Sequence, residues 1–292
     1  MAETSTRIID HIVHLSPSGQ LAEEIKAWTD LGFNVIPGGT HADGLTENAL
    51  VAFHDGAYLE LISFTHPISD YPEGSPDREK REKHPWGTKH YGFIDFAFLG
   101  NSGDPSIAEL INRRSGTDGS QVTYLREVPG GRTRKDGEIL KWLISAPSGS
   151  TSVDGDVRGQ LPFFCGDLTP RHLRVPSNAR DVEHPNASVG IISIQLLASP
   201  KSIHGLSKQL TSVLGVPPES SSDNGETKWP LESPGNFSRK PTILHLRPPA
   251  TDDESKWLAE RGNGVYQVGI RAQHETGQEV KLAHARVTIS LE

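Results

Sequence analysis

Along the chain, short runs with apolar residues at every second position alternate with segments whose apolar residues recur at helical spacing, and the order of the two recurs. Ile8–Leu15 reads as a strand. Leu21–Leu31 reads as a helix, with Leu21, Ile25 and Trp28 or Leu31 on one face and Gly32 as the glycine that ends it. Phe33–Ile36, Asn48–His54 and Tyr58–Phe64 follow as strands, the last two joined through Asp55-Gly56, a strong hairpin signal. The same order then returns: Phe93–Phe98 as strand, Ile107–Arg113 as helix, and Val122–Glu127, Ile139–Ser145 and Leu161–Cys165 as strands. The pattern predicts an α+β chain with two βαβββ modules at about 8–66 and 91–168, forming one domain over residues 1–178. In the remainder, 179–292, Val189–Leu197, His204–Leu214 and a hairpin-like pair at Thr242–Arg247 and Val265–Arg271 predict a third, diverged module.

A repeated phrase supports duplication. Val35-Ile36-Pro37-Gly38-Gly39-Thr40-His41-Ala42-Asp43-Gly44 returns as Val128-Pro129-Gly130-Gly131-Arg132-Thr133-Arg134-Lys135-Asp136-Gly137. Both Pro-Gly-Gly stretches read as turns. They lack the G-x-G-x-x-G pattern and the lysine of a phosphate loop, so no nucleotide cofactor is expected.

Composition narrows the function classes. With 37 acidic and 29 basic residues the net charge is −8 and no long basic face appears, which argues against nucleic acid or an anionic membrane as partner. No run is long enough to span a membrane, and the polar start lacks the apolar core of a signal peptide, so cytoplasmic residence is the expectation. The single cysteine, Cys165, excludes an internal disulfide and a cysteine zinc cluster; between Phe164 and Gly166 it reads as structural. No G-x-S-x-G elbow provides a hydrolase nucleophile. The charged stretch His66–His90 is too long for a simple connection and reads either as a lid or as a solvated connector, with Trp86 favouring a docked segment. Ser148–Gln160 and Pro217–Lys240 read as mobile polar loops.

Asp10-His11-Ile12-Val13, the Pro37–Gly44 phrase, Tyr58-Leu59-Glu60-Leu61-Ile62 and Leu161-Pro162-Phe163-Phe164 together resemble the glyoxalase-like branch of the vicinal oxygen chelate superfamily. The likeness runs over roughly residues 8–175 and is most specific in the first module. It implies the glyoxalase/bleomycin-resistance/dioxygenase-like fold, in which βαβββ modules pair into a curved, mixed or antiparallel sheet cup around a small-molecule site. It also implies that His11 on the first strand and Glu60 on the last are divalent-metal ligands. Imidazole with carboxylate suits Zn, Fe, Mn, Co or Ni.

Alternation puts Tyr58, Glu60 and Ile62 on one face and Leu59 and Leu61 on the other, and a carboxylate in such a buried strand must be bonded or liganded. His11 reads equally as a core histidine, and Glu60 as a partner of Arg132 or Arg134. Aligning the repeats on their Pro-Gly-Gly stretches puts Phe93 opposite His11 and Phe164 or Cys165 opposite Glu60; the third module offers Ile191 and Val268. A full ligand set would therefore recruit Asp95, Asp167, His41, His90 or His172, or a second copy of the chain, and a homodimer stays open.

His41 reads as an acid/base group or, with Asp43, as part of a capped turn. Arg132 and Arg134 read as anion or carbonyl recognition from the opposite side or as hairpin surface charges. Trp142, Phe163, Phe164 and Tyr58 are wall or core; Trp86 and Asp167 complete the candidate substrate contacts, with Arg171 and Arg174 at the rim.

The expected activity is that of a small-molecule lyase or isomerase. It would abstract a proton beside a carbonyl and stabilise an enolate, metal-assisted or not, with Glu60, His41 and His11 as catalytic residues. A metal-free binding protein that sequesters a small molecule, and a ring-opening dioxygenase, are the alternatives. The second histidine that a dioxygenase needs is missing from modules two and three.

Overall fold

The computed structural model describes residues 4–134, 136–151, 155–235, 240–273, 278–282 and 284–291. The two loops read as mobile fall partly outside these, at 152–154 and 236–239.

The first module comprises β1 (Ile9–Ser16), α1 (Leu21–Asp30), β2 (Ile36–His41), β3 (Thr46–Ala52) and β4 (Tyr58–Phe64). α1 buries Leu21 and Trp28 against the sheet, and the chain turns out of it at Gly32, whose φ of +82° suits glycine. After a short helix α2 (Pro76–Glu82) the second module follows: β5 (Gly92–Leu99), α3 (Ile107–Asp118), β6 (Val128–Arg134), β7 (Ile139–Ser145), a ribbon of β8 (Ser150–Thr151) with β9 (Gly155–Asp156), and β10 (Phe163–Asp167). The Ser106 hydroxyl caps α3 by accepting from the Glu109 amide, and Gly119 closes it in the left-handed region.

These strands close into a barrel in the order β1-β4-β3-β2-β6-β7-β10-β5. In each module the last strand lies parallel to the first, β4 on β1 and β10 on β5, and β1 meets β5 antiparallel. The other junction corrects the reading of the Pro-Gly-Gly stretches. They are not turns but the body of β2 and β6, which pair antiparallel with Gly39 opposite Arg134, Thr40 opposite Thr133 and His41 opposite Arg132. The glycines are required by proximity. A Cβ on Gly38 would overlap Asn48 Oδ1, one on Gly39 the Thr133 carbonyl, and one on Gly130 the Trp142 indole. Two other boundaries move: Phe33–Val35 and Val122–Glu127, expected within strands, lead into strands that begin at Ile36 and Val128.

The C-terminal part repeats the plan. After two short helices, α4 (Arg171–Arg174) and α5 (Ala179–Val182), come β11 (Ser188–Leu197), α6 (Ile203–Leu214), β12 (Ser220–Ser221), β13 (Thr227–Leu231), β14 (Thr242–Arg247), α7 (Asp252–Arg261), β15 (Gly264–Ala272), β16 (Gln278–Lys281) and β17 (Arg286–Leu291). They form a seven-stranded sheet ordered β12-β13-β14-β11-β15-β17-β16. β14 and β15, expected as a hairpin-like pair, instead flank β11 on opposite sides, β14 parallel and β15 antiparallel. β11–β14 thus repeat the first module, and β15–β17 make a shorter unit with no helix among the described residues. A single apolar core joins the outer face of the barrel to this sheet, from Leu59, Leu61, Phe96, Phe98 and Phe164 to Leu244, Val268 and Ile270. A separate cluster, including Val13, Ile62, Ala97, Trp142, Phe163 and Cys165, fills the barrel interior. No helix among the described residues is long and apolar enough to cross a membrane.

Candidate active site in the barrel

The barrel interior holds a cavity of about 280 Å³. Strand alternation explains which side chains enter it. On β4, Tyr58 and Glu60 face the cavity while Leu59 and Leu61 join the outer core. On β10, Phe163 and Cys165 face inward and Phe164 outward, packed on Phe98 and Tyr124.

Glu60 is the centre of the polar side. It is 5% exposed. Asn48 Nδ2 donates to its Oε1 at 2.6 Å. His41 Nε2 stands 3.7 Å from that oxygen, and His11 Nε2 stands 3.6 Å from Oε2. Each histidine is oriented through its other nitrogen: His11 Nδ1 lies 2.8 Å from Asp10 Oδ2, and His41 Nδ1 lies 2.8 Å from Thr46 Oγ1. Asn48 is itself held, its Oδ1 accepting from Arg132 Nη1 at 2.9 Å and from the Gly39 amide at 3.1 Å. Glu60 therefore meets Arg132 through Asn48 rather than directly. Burial lowers the pKa of His41, with Glu60 acting in the opposite sense, and burial also lowers that of Arg132.

Behind His11 lies a buried ionic network. Arg174 Nη1 donates to Asp10 Oδ2 at 2.9 Å and to the Tyr58 hydroxyl at 2.8 Å, and its Nε to Asp167 Oδ1 at 2.6 Å. Arg171 Nη1 reaches Asp10 Oδ1 at 2.6 Å. Burial alone would raise the Asp10 pKa; Arg174 and Arg171 outweigh it and hold the carboxyl well below its usual range. His11 stacks on Tyr58 with ring centres 4.6 Å apart and meets the edge of Phe163.

The opposite wall is aromatic. Trp142 meets His41 edge-on, and the segment between β4 and β5 docks Trp86 and His84 on the cavity, with Trp86 Nε1 donating to Asp95 Oδ2 at 2.9 Å. Burial lowers the His84 pKa to about 4.

Of the residues read from the sequence, His11, His41, Glu60, Arg132, Trp142 and Trp86 converge on this cavity. Three do not line it. Phe164 belongs to the outer core, because alternation turns it away. Arg134 bonds the Leu173 carbonyl and Asp136. Asp167 is committed to Arg171 and Arg174. Asn48 and His84 were not singled out in the sequence; an asparagine at a strand position, where asparagine is depleted, is the available signal for Asn48.

Among the described residues no group of three or more His, Cys, Asp or Glu side chains is arranged to hold a metal ion. The donor chemistry nevertheless suits one. With its Nδ1 held by Asp10, His11 presents Nε2 to a Glu60 oxygen, and an imidazole nitrogen facing a carboxylate is a donor pair that a divalent ion can take. Among the described residues of the second module, the inward positions of β5 and β10 include Ala97, Phe163 and Cys165, whose thiol pKa burial pushes up to about 12, while Asp95 pairs with Arg158 at 2.7 Å. His90 lines a different cavity and His172 is exposed.

A closed mixed barrel around an apolar cavity with one polar, proton-bearing side defines a small-molecule site. The sequence profile of the family described as Glyoxalase-like domain matches residues 9–212, and the chain belongs to that family, within the vicinal oxygen chelate superfamily. A hypothetical protein from Staphylococcus aureus has the same fold at 13% identity, with a TM-score of 0.66 over 97% of this chain and 99% of that one. A mutant of 4-hydroxymandelate synthase from Streptomyces coelicolor follows at 13% identity and a TM-score of 0.48 over 92% of this chain and 72% of that one. A methylmalonyl-CoA epimerase from Mycobacterium tuberculosis, at 19% identity, covers 49% of this chain and 83% of its own, with a TM-score of 0.29. No curated protein matches the sequence.

Proposed function

We propose that the barrel cavity is the active site of a lyase or isomerase that removes a proton beside the carbonyl of a small molecule. The observation that carries this reading is Glu60, a buried carboxylate faced by two imidazole nitrogens on the wall of an apolar cavity. Glu60 accepts the proton from carbon. Asn48, itself fixed by Arg132, holds one carboxylate oxygen and leaves the other toward His11. The proton that Glu60 takes is the one returned, to carbon or to the enolate oxygen, directly or by way of the histidine Nε2 that faces the carboxylate. Trp86 and His84 exclude water from the intermediate.

When bound, a divalent ion would be held by His11 and Glu60, and would polarise the carbonyl. Elemental analysis of protein purified without chelator, beside His11→Ala and Glu60→Ala, tests that point: one equivalent of metal lost in both variants supports it, and none in the native protein removes it.

Proton abstraction is tested by incubating the protein in deuterium oxide with a panel of small ketones and aldehydes and reading deuterium at the α-carbon by NMR. Saturable incorporation abolished by Glu60→Gln is expected. Saturable quenching of Trp86 and Trp142 without incorporation would replace catalysis by sequestration.

A further inference from the structure

A cavity of about 450 Å³ lies between the β1–α1 connection, at Pro17 and Gln20, and the chain on either side of α2, at Ile68 and Thr88. Arg81, in the last turn of α2, lines it and is only 6% exposed. Its Cζ stands 3.2 Å from the centre of the Phe64 ring, so the guanidinium rests on an aromatic face. Nη1 reaches the Gly87 carbonyl at 3.5 Å, the outer limit of a hydrogen bond. Nε has no hydrogen-bond partner, and among the described residues no carboxylate pairs with the group. Glu82 lines the same cavity, but its Oε1 accepts from Arg78 Nε at 2.9 Å. Burial lowers the Arg81 pKa, with Tyr71 and Tyr91 opposing. Arg174, equally buried, meets both Asp10 and Asp167; Arg81 meets a ring and one distant carbonyl.

A cation over an aromatic ring recovers only part of what it costs to take the charge out of water, and buried charges are otherwise paired. The edge that Nε shares with Nη2 carries two parallel N–H donors, the fork that matches a carboxylate. Ser18, Gln20 and Thr88 bring neutral donors to the same wall, and Pro17, Pro67 and Ile68 bring apolar surface. One cation, beside an acidic neighbour already committed to Arg78, suits a single negative charge better than a dianion. The volume falls within the roughly 300–1,000 Å³ of small-molecule sites. We propose that this cavity binds a compact organic monocarboxylate, its carboxylate on the Nε–Nη2 edge of Arg81 and its apolar body against Pro17, Pro67 and Ile68. The site is separate from the barrel cavity and stands whatever chemistry that cavity performs. The two meet through Phe64, whose ring carries Arg81 and also packs on His84 with centres 5.0 Å apart.

The test is calorimetric titration of the full chain at low ionic strength with benzoate, butyrate, neutral benzamide and inorganic phosphate. Three variants accompany it, with circular dichroism reporting folding. Arg81→Gln removes the fork, Ser18→Glu sets a negative charge on the same wall while leaving Arg81 in place, and Lys83→Gln removes an exposed cation of the same segment. Saturable binding of benzoate or butyrate is expected, tighter than that of benzamide or phosphate, weakened roughly tenfold or more by Arg81→Gln and by Ser18→Glu and little changed by Lys83→Gln. No saturable binding of either carboxylate at millimolar concentration overturns the proposal, as does binding of benzamide or phosphate at least as tight. Binding that Arg81→Gln or Ser18→Glu leaves undiminished, or that Lys83→Gln weakens equally, overturns it too. If Arg81→Gln fails to fold, Ser18→Glu against Lys83→Gln decides by the same criterion.

Discussion

Replacing Arg174 by methionine removes one guanidinium from the network behind His11 while keeping a side chain of similar length. Arg174 is 3% exposed and bonds Asp10, Asp167 and Tyr58; Asp10 is fully buried. Breaking a buried ion pair from one side costs about 3–5 kcal/mol, because the other charge stays buried and uncompensated. Here Arg171 still reaches Asp10 at 2.6 Å and Asp167 at 3.2 Å, so the expected loss sits at the lower end, about 3 kcal/mol, or roughly 10²-fold in the unfolding equilibrium.

The sign of the pH dependence is fixed by Asp10. Its folded pKa is depressed, so its contribution is present above the unfolded value of about 3.9 and is lost as pH falls through the folded value. Arg174→Met relaxes that depression. The stability gap between native and variant protein should therefore be full at neutral pH and shrink below about pH 4. Urea unfolding followed by circular dichroism, with equal slopes for the two proteins, measures it, and a second Asp10→Asn substitution should recover part of the loss. A gap below about 1 kcal/mol at pH 7, or one unchanged at pH 3.5, would refute the assignment of the network as the support of His11.

Gly38→Ala pushes a methyl into Asn48 and Arg132, so it should cost about 1–3 kcal/mol in thermal unfolding and, by unhooking Asn48 from Glu60, abolish deuterium incorporation in any substrate that the native protein exchanges. His84 has a folded pKa near 4 against an ordinary value of 6.5; a depressed histidine contributes stability that is full above about 6.5 and lost as pH falls, while in the folded protein Trp86 emission should shift to the red as pH falls through about 4, and His84→Gln should flatten that titration. Asp55, whose carboxyl accepts the Ala57 and Ile191 amides between barrel and sheet, is pushed by burial to about 6; a raised acid loses stability as pH climbs from about 4 to about 6, here by about 3 kcal/mol, and the difference between native and Asp55→Asn unfolding free energies should narrow over that interval.

The module order was legible because period-two and helical spacing alternate cleanly, and because alternation on Tyr58–Ile62 leaves Glu60 on one face. The glycine phrase was legible as a repeat but not as a strand. Pro-Gly-Gly has the local chemistry of a turn, and only the approach of β2 to β6, contributed by residues about ninety positions apart, makes it a strand that tolerates no side chain. Phe163 and Phe164 could not be told apart without the bearing of β10. Asn48 and His84 enter the site through tertiary contacts, to Arg132 and Phe64, that carry no sequence periodicity. The split of β14 and β15 to either side of β11 is likewise a long-range pairing, which two separate apolar runs do not announce.

Duplication gives the barrel its symmetry, and the departures between the copies give the cavity its two unlike sides. Where β2 ends in His41, β6 presents Arg132 directly across the pair. The histidine enters the cavity against Glu60, and the arginine reaches the same carboxylate through Asn48. Where β1 carries His11, its antiparallel neighbour on β5 is Ala97, and the space so freed is taken by Phe163 from β10 against the imidazole edge. One module thus supplies the proton-bearing groups, and the other supplies the clamp and the wall. The proposed role of Glu60 as a base needs that division: donors close enough to fix the carboxylate, and a dry face opposite, where carbon rather than water would meet its free oxygen.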